Sequence, residues 1–195
     1  MFNLLSQATA QFASISIQHF LILTISGLAA ATAALIAANR IRNISISISD
    51  TLSIFCLIIY FNIILQLTLF GRNDGSRVGM ELVPFQNIFD SNGQLRSLIA
   101  MYAFLNVLLF VPYGFVLSWL PVFRSQKAWL NVLLTVLISF ATSLLIETAQ
   151  LITERGYYET EDLLCNTVGG LIGSLLFIAA LKVMSGLTKC SRNAD

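Results

Sequence analysis

The chain has 195 residues, of which 56% are hydrophobic and only 11% charged, with a formal net charge of +1 and a mean hydropathy of +0.80. Soluble domains carry about 25% charged residues, so a water-soluble globular enzyme is excluded. The near-neutral balance offers no strongly basic face, and no nucleic-acid partner is expected.

Five apolar runs fall at 17–38, 51–70, 98–120, 128–152 and 163–184, with polar breaks between them. Each is close to the roughly 20 residues that cross a ~30 Å hydrocarbon core. The expected fold is all-α, a polytopic bundle of five transmembrane helices with a long extracytoplasmic loop between the second and third. Residues 1–18 contain no Lys or Arg, whereas a cleaved signal peptide wants a basic start and a short apolar core. The first run therefore reads as a span, preceded by an interfacial stretch carrying Phe2, Leu4, Leu5 and Phe12. His19, the single histidine, reads as an interfacial residue rather than a metal ligand.

Between the first two runs, NISISISD (43–50) alternates Ile and Ser with the period of a strand. A lone strand there would leave its edges unpaired, so a connector lying on the membrane is expected, with Ser49 or Asp50 capping the second helix. The segment 71–97 has the Gly, Asn and Arg of an exposed loop. Within it, Leu82, Val83, Pro84, Phe85, Ile88 and Phe89 are expected to form an apolar knot that docks on the bundle or dips into the interface.

The third run carries Asn106 in its outer half, then Phe110, Pro112 and Gly114. Pro112 has no N–H for the carbonyl of Leu108, so a kink and a cavity are expected there. In the fourth, Ser139, Ser143, Glu147 and Gln150 recur at steps that place them on one helix face. In the fifth, Asn166, Gly170 and Gly173 share a face with Gly169 beside them, small residues that let a neighbouring helix approach closely. The three cysteines, Cys56, Cys165 and Cys190, suggest no disulfide pair.

Cytoplasmic flanks carry the excess of Lys and Arg. With the N-terminus outside and the C-terminus inside, Arg40, Arg42, Arg124, Lys127, Lys182, Lys189 and Arg192 lie inside, against Arg72, Arg77, Arg96 and Arg155 outside. In that orientation Asn106, Glu147, Gln150 and Asn166 share the outer part of the membrane, with Arg155 and Asp162 just above them. Glu147 is the only acid inside any of the five runs. A charged side chain at a span's centre costs ~2.5–3.5 kcal/mol, so such acids face the protein interior. Glu147 is expected either ionised beside Arg155, Arg72, Arg77 or Arg96, or protonated. Two readings of the constellation stand: an outward-facing polar pocket with an acidic rim, or a clamp of interhelical hydrogen bonds with Asp162 as a helix N-cap.

Four fragments carry a resemblance: LVPF (82–85); Asn106, Phe110, Pro112 and Gly114 spaced N-x3-F-x-P-x-G; Ser143, Glu147 and Gln150 spaced S-x3-E-x2-Q; and Asp162, Asn166, Thr167 and Gly169 spaced D-x3-N-T-x-G, with Gly173 beyond. In this order the chain resembles the VanZ-like family from about residue 70 to 184. It departs from the family's pattern at Glu81, where the family has Asn. Glu159 replaces the first of two acids, and Arg155 is displaced by about one residue.

The resemblance implies a protein of the bacterial cytoplasmic membrane, similar to one associated with resistance to teicoplanin and related lipoglycopeptides. It sets the expected domains: 1–50 for the first span and connector, 51–186 for a VanZ-like four-helix membrane domain, and 187–195 for a short cytoplasmic tail. The sequence shows no Ser-His-Asp set, metal-ligand cluster or phosphate-cradling Gly loop. No cofactor and no metal are therefore expected. The favoured function is binding of an amphiphile in a pocket of Pro84, Phe85, Asn106, Phe110, Ser143, Glu147, Gln150, Arg155, Asp162 and Asn166. The expected partners are membrane lipids, a lipid-linked cell-wall precursor or a lipoglycopeptide. The alternative is a membrane enzyme with Glu147 as general acid or base.

Overall fold

The structure, a computed structural model, describes residues 17–42, 46–71, 77–86, 88–89 and 93–192. Five long helices and two short strands carry the fold. In chain order they are α1 (Ile17–Arg42), α2 (Ile48–Leu65) running on as a π-turn (Gln66–Phe70), β1 (Arg77–Glu81), α3 (Ser97–Trp119), the single turn α4 (Pro121–Arg124), α5 (Ala128–Ile152), β2 (Arg155–Glu159) and α6 (Thr160–Arg192). The helices α1, α2, α3, α5 and α6 are each long and apolar enough to cross a membrane.

Burial ranks them. None of the most apolar stretch of α1 is buried, against 44% of that of α6, so α1 stands at the edge and α6 at the centre. The α1 helix is tied to α2 by Asn62, whose amide donates to the Phe20 carbonyl at 2.9 Å and the Thr24 hydroxyl at 2.6 Å. Gly27 faces Ile58 so closely that a Cβ would collide with it.

The centre is a seam between α3 and α6. A Cβ on Gly114 would overlap the backbone of Gly170, one on Gly169 the carbonyl of Val107, and one on Gly173 the backbone of Val111 and Phe115. Hydrocarbon solvent supplies no hydrophobic drive between helices, so this backbone-to-backbone approach is where dispersion is gained. Against the seam pack Ile64, Phe110, Tyr113, Leu117 and Ile146.

Pro112 lies inside α3, which runs as one helix from Ser97 to Trp119, and its ring is exposed on the outer face. On the inner side Tyr60 donates its hydroxyl to the Leu109 carbonyl at 2.8 Å, bracing the turn that Pro112 loosens. The α2 cap differs from expectation. Ser47 is the N-cap, its hydroxyl accepting from the Asp50 N–H while the Asp50 carboxylate takes the Ser47 N–H. This reciprocal capping box needs an acid three residues after the cap, a spacing that neither Ser49 nor Asp50 as the cap would use. Residues 43–45 of the expected connector lie outside the described residues.

The two loops at the far end are joined by a parallel strand pair that the loop composition did not announce. Arg77 aligns with Arg155, and the register runs through to Glu81 beside Glu159. Gly79 opposite Tyr157 leaves room for the tyrosine ring, which a Cβ would strike. The expected apolar knot does not form a core of its own: Leu82, Val83 and Phe89 are more than half exposed.

Candidate functional site

Glu147 sits five residues before the end of α5, roughly 7.5 Å below it along the axis. It is 2% exposed, with Ser139, Ser143 and Gln150 of the same face equally buried. Its carboxylate accepts the backbone N–H of Glu159 at 3.0 Å. The buried acid thus holds the last residue of β2, immediately before α6 begins.

The neighbours arrive from three directions. From α6, Asn166 donates to the Ser143 hydroxyl at 2.8 Å, one turn below Glu147 on α5. From α3, the Asn106 amide donates to the Asp162 carboxylate. Asp162 is the third residue of α6 and lies within its first turn, so it is not the N-cap expected from sequence. It still complements the positive end of the helix dipole, as does Glu161. From α2, the π-turn offers carbonyls that its wider winding leaves accessible: Thr68 takes the Gln150 amide at 2.9 Å, and Leu69 lies 3.5 Å from the Arg155 guanidinium.

The LVPF turn closes the rim. The Phe85 N–H donates to the Glu161 carboxylate at 3.0 Å, and the Thr160 hydroxyl donates to the Glu81 carbonyl at 3.1 Å. Phe85 holds φ at 61°, in the left-handed region that costs an ordinary L-residue roughly 1–2 kcal/mol. A charge-assisted bond from its N–H to Glu161 offsets that cost. Glu159, Glu161 and Asp162 place one carboxylate oxygen each within 4.8 Å of one another. These are hard oxygen donors, and two of the three already serve protein N–H groups.

Several buried polar atoms around this end have no protein hydrogen-bond partner. They are both side-chain polar atoms of Gln66, the Gln150 Oε1 and the Asn166 Oδ1; the Ser139 Oγ, also without a partner, lies deeper, against Gly170 of the seam. Buried polar groups are nearly always satisfied, so this concentration marks unspent hydrogen-bonding capacity.

Of the residues singled out by sequence, Asn106, Ser143, Glu147, Gln150, Arg155, Asp162 and Asn166 gather at this end, with Phe85 bonded to its rim and Pro84 beside it in the same turn. Phe110 does not line it by its ring: it is fully buried in the apolar core, edge-on to Tyr113 with centroids 5.3 Å apart. Pro112, Gly114, Gly169, Gly170 and Gly173 belong to α3 and the seam below. Sequence reasoning missed Gln66 and Thr68. The available signal was Asn62 and Gln66 one turn apart in an apolar span, a polar pair on one face of α2.

The fragments quoted from LVPF to Gly173 thus sit on one assembly of the turn after β1 with α3, α5 and α6. A family model described as VanZ/LLP1 matches residues 51–182. The chain belongs to the VanZ/LLP1 family. The match begins in α2 and ends in α6, so α1 lies outside it, and the protein is a VanZ-like, multi-pass membrane protein. Neither a curated protein nor a solved structure matches the chain.

Proposed function

We propose that this VanZ-like protein binds the polar part of an amphiphile at the Glu147 end of the bundle. Its candidate ligands are a lipid, a lipid-linked cell-wall precursor or a teicoplanin-type lipoglycopeptide. The observation that carries the reading is the set of unspent polar atoms on Gln66, Gln150 and Asn166 near a buried carboxylate. In hydrocarbon such atoms cost several kcal/mol each unless something bonds them. A polar headgroup supplies those bonds, while the acyl chains stay among the exposed apolar residues of the spans. Entry requires the LVPF turn to leave the rim, since Glu147 is almost wholly buried. In this reading the protein lies in the bacterial cytoplasmic membrane with its N-terminus outside, so the Glu147 end faces the cell envelope. Topology reporters fused at Asn87 and Arg124 check the sidedness, and a cytoplasmic signal at Asn87 would invert it.

The runner-up is a membrane enzyme with Glu147 as general acid or base, favoured by the three carboxylates that gather above it. One experiment separates the two. The purified full chain is examined by native mass spectrometry for a retained amphiphile and incubated with lipid-linked cell-wall precursors. Retention without turnover, lost in Glu147→Gln, supports binding. Turnover that vanishes in Glu147→Gln supports the enzyme, and neither retention nor turnover in the wild type overturns both.

A further inference from the structure

The opposite end of the bundle holds a second feature, independent of the Glu147 reading. A groove of about 200 Å³ runs between the α4–α5 corner and the last membrane turns of α6. Ile178 and Leu181 give it an apolar floor, while Arg124, Gln126, Asn131 and Lys182 stand around it.

Each polar group there has a defined state. Arg124 is fixed by α2: one nitrogen donates to the Ser49 hydroxyl at 2.8 Å and another to the Asp50 carboxylate at 2.7 Å. Two of its five N–H donors are used, so the fork is held in place with donors remaining. Lys182 is exposed and has no carboxylate partner among the described residues. Asn131 is 3% exposed, and its amide nitrogen donates to the Ser118 carbonyl at 3.1 Å. That carbonyl can only accept, which fixes the amide orientation and leaves Oδ1 as an acceptor with no protein partner. Finally, α5 begins at Ala128, on the groove, with no side-chain cap on its first N–H groups. A 25-residue helix presents partial positive charge there.

We infer that this groove is a binding site for an anionic phospholipid whose headgroup joins a phosphodiester to a free hydroxyl. The phosphate sits between Lys182, Arg124 and the uncapped start of α5, the hydroxyl donates to the buried Asn131 Oδ1, and the first acyl carbons lie on Ile178 and Leu181. The cation count supports an anion: Arg124 and Lys182 line the groove, Lys127 stands in sequence between its lining residues Gln126 and Ala128, and Asp50 is the one carboxylate described at this end. The acceptor at Asn131 selects a hydroxylated headgroup, because a phosphodiester alone has no O–H to donate to it. The apolar floor selects a lipid over a soluble anion.

The test uses the full chain in detergent, loaded from micelles containing phosphatidylglycerol, phosphatidylmethanol or phosphatidylcholine, with retained lipid read by native mass spectrometry. Phosphatidylmethanol keeps the phosphodiester and lacks the hydroxyl. Phosphatidylglycerol should be retained most strongly. Lys182→Gln should lower its retention about fivefold, the effect expected of one basic residue near a lipid phosphate. Lys182→Arg should restore it, and Arg40→Gln on the edge helix should leave it unchanged. Equal loss in Lys182→Gln and Arg40→Gln, or equal retention of phosphatidylcholine, overturns the site. Equal retention of phosphatidylmethanol overturns the contact at Asn131.

Discussion

At the end of the bundle that carries the β1–β2 pair, hydrogen bonds run between groups withdrawn from solvent: Glu147 to the Glu159 N–H, Asn166 to Ser143, Gln150 to Thr68. At the other end the helix-cap bonds run between partly exposed groups, Ser47 with Asp50 and Arg124 with Asp50 and Ser49, while Asn131 and Ser118 form a buried pair beneath them. Charge divides the same way. By chain position, eight of the ten carboxylates belong to the first end and seven of the eleven Lys and Arg to the second. The difference teaches which polar groups matter. Water replaces a lost partner of an exposed group, but nothing replaces it for a buried one. Buried polar atoms without a protein partner, those of Gln66 at the first end and the Asn131 Oδ1 at the second, therefore point to a ligand.

The largest expected effect comes from the seam on which both ends are mounted. Gly173→Leu drives a side chain into the backbone of Val111 and Phe115, and should cost at least about 3 kcal/mol, read as loss of a folded monomer on size exclusion in detergent. If the variant folds normally, the two ends do not share a rigid support.

Next comes the buried acid. Glu147→Leu strips the acceptor from the Glu159 N–H and should destabilise the protein by about 1–3 kcal/mol in thermal unfolding, whereas Glu147→Gln keeps an oxygen there and should cost less than ~1 kcal/mol. A Leu variant as stable as wild type would remove the contrast between buried and exposed ends.

A smaller effect isolates the LVPF turn. Because Phe85 sits at a φ of 61°, Phe85→Gly should be about 1 kcal/mol more stable than Phe85→Ala, a comparison in which loss of the ring cancels. Equal stabilities would mean that the turn relaxes without cost. At the exposed end, Ser47→Ala should cost ~1 kcal/mol or less, the ordinary loss of an N-cap, and a much larger loss would show that this end is as dry as the other.

How much of this was legible in the sequence follows from what each feature depends on. The five spans rest on local hydrophobicity, and their ends moved by four residues at most except at α6, which runs eight residues past 184 to Arg192; α2 starts at Ile48 rather than 51 because Ser47 and Asp50 form the capping box. The face of α5 was readable because Ser139, Ser143, Glu147 and Gln150 follow helical spacing, and the seam because Gly169, Gly170 and Gly173 have no other use in a span. The strand pair was not readable. RVGME and RGYYE lie far apart in the chain and pair in parallel; RVGME alternates only over five residues with a glycine at its centre, and RGYYE does not alternate at all. The partners of Arg155 and Phe85 depend on that pairing, so they were hidden with it. Gln66 escaped notice for a different reason: two amides one turn apart, Asn62 and Gln66, read as interhelical packing until the residues around them are known.

Gln66→Leu tests the central claim most directly. The side chain is fully buried and neither of its polar atoms has a protein partner, so an apolar residue of similar size should relieve an unmet desolvation cost of about 1 kcal/mol. For a protein of this size that is a rise in Tm of roughly 2–4 °C. The account predicts this rise together with loss of the amphiphile retained by the wild type. A fall in Tm with the amphiphile still bound would contradict it, placing Gln66 in the service of the fold alone.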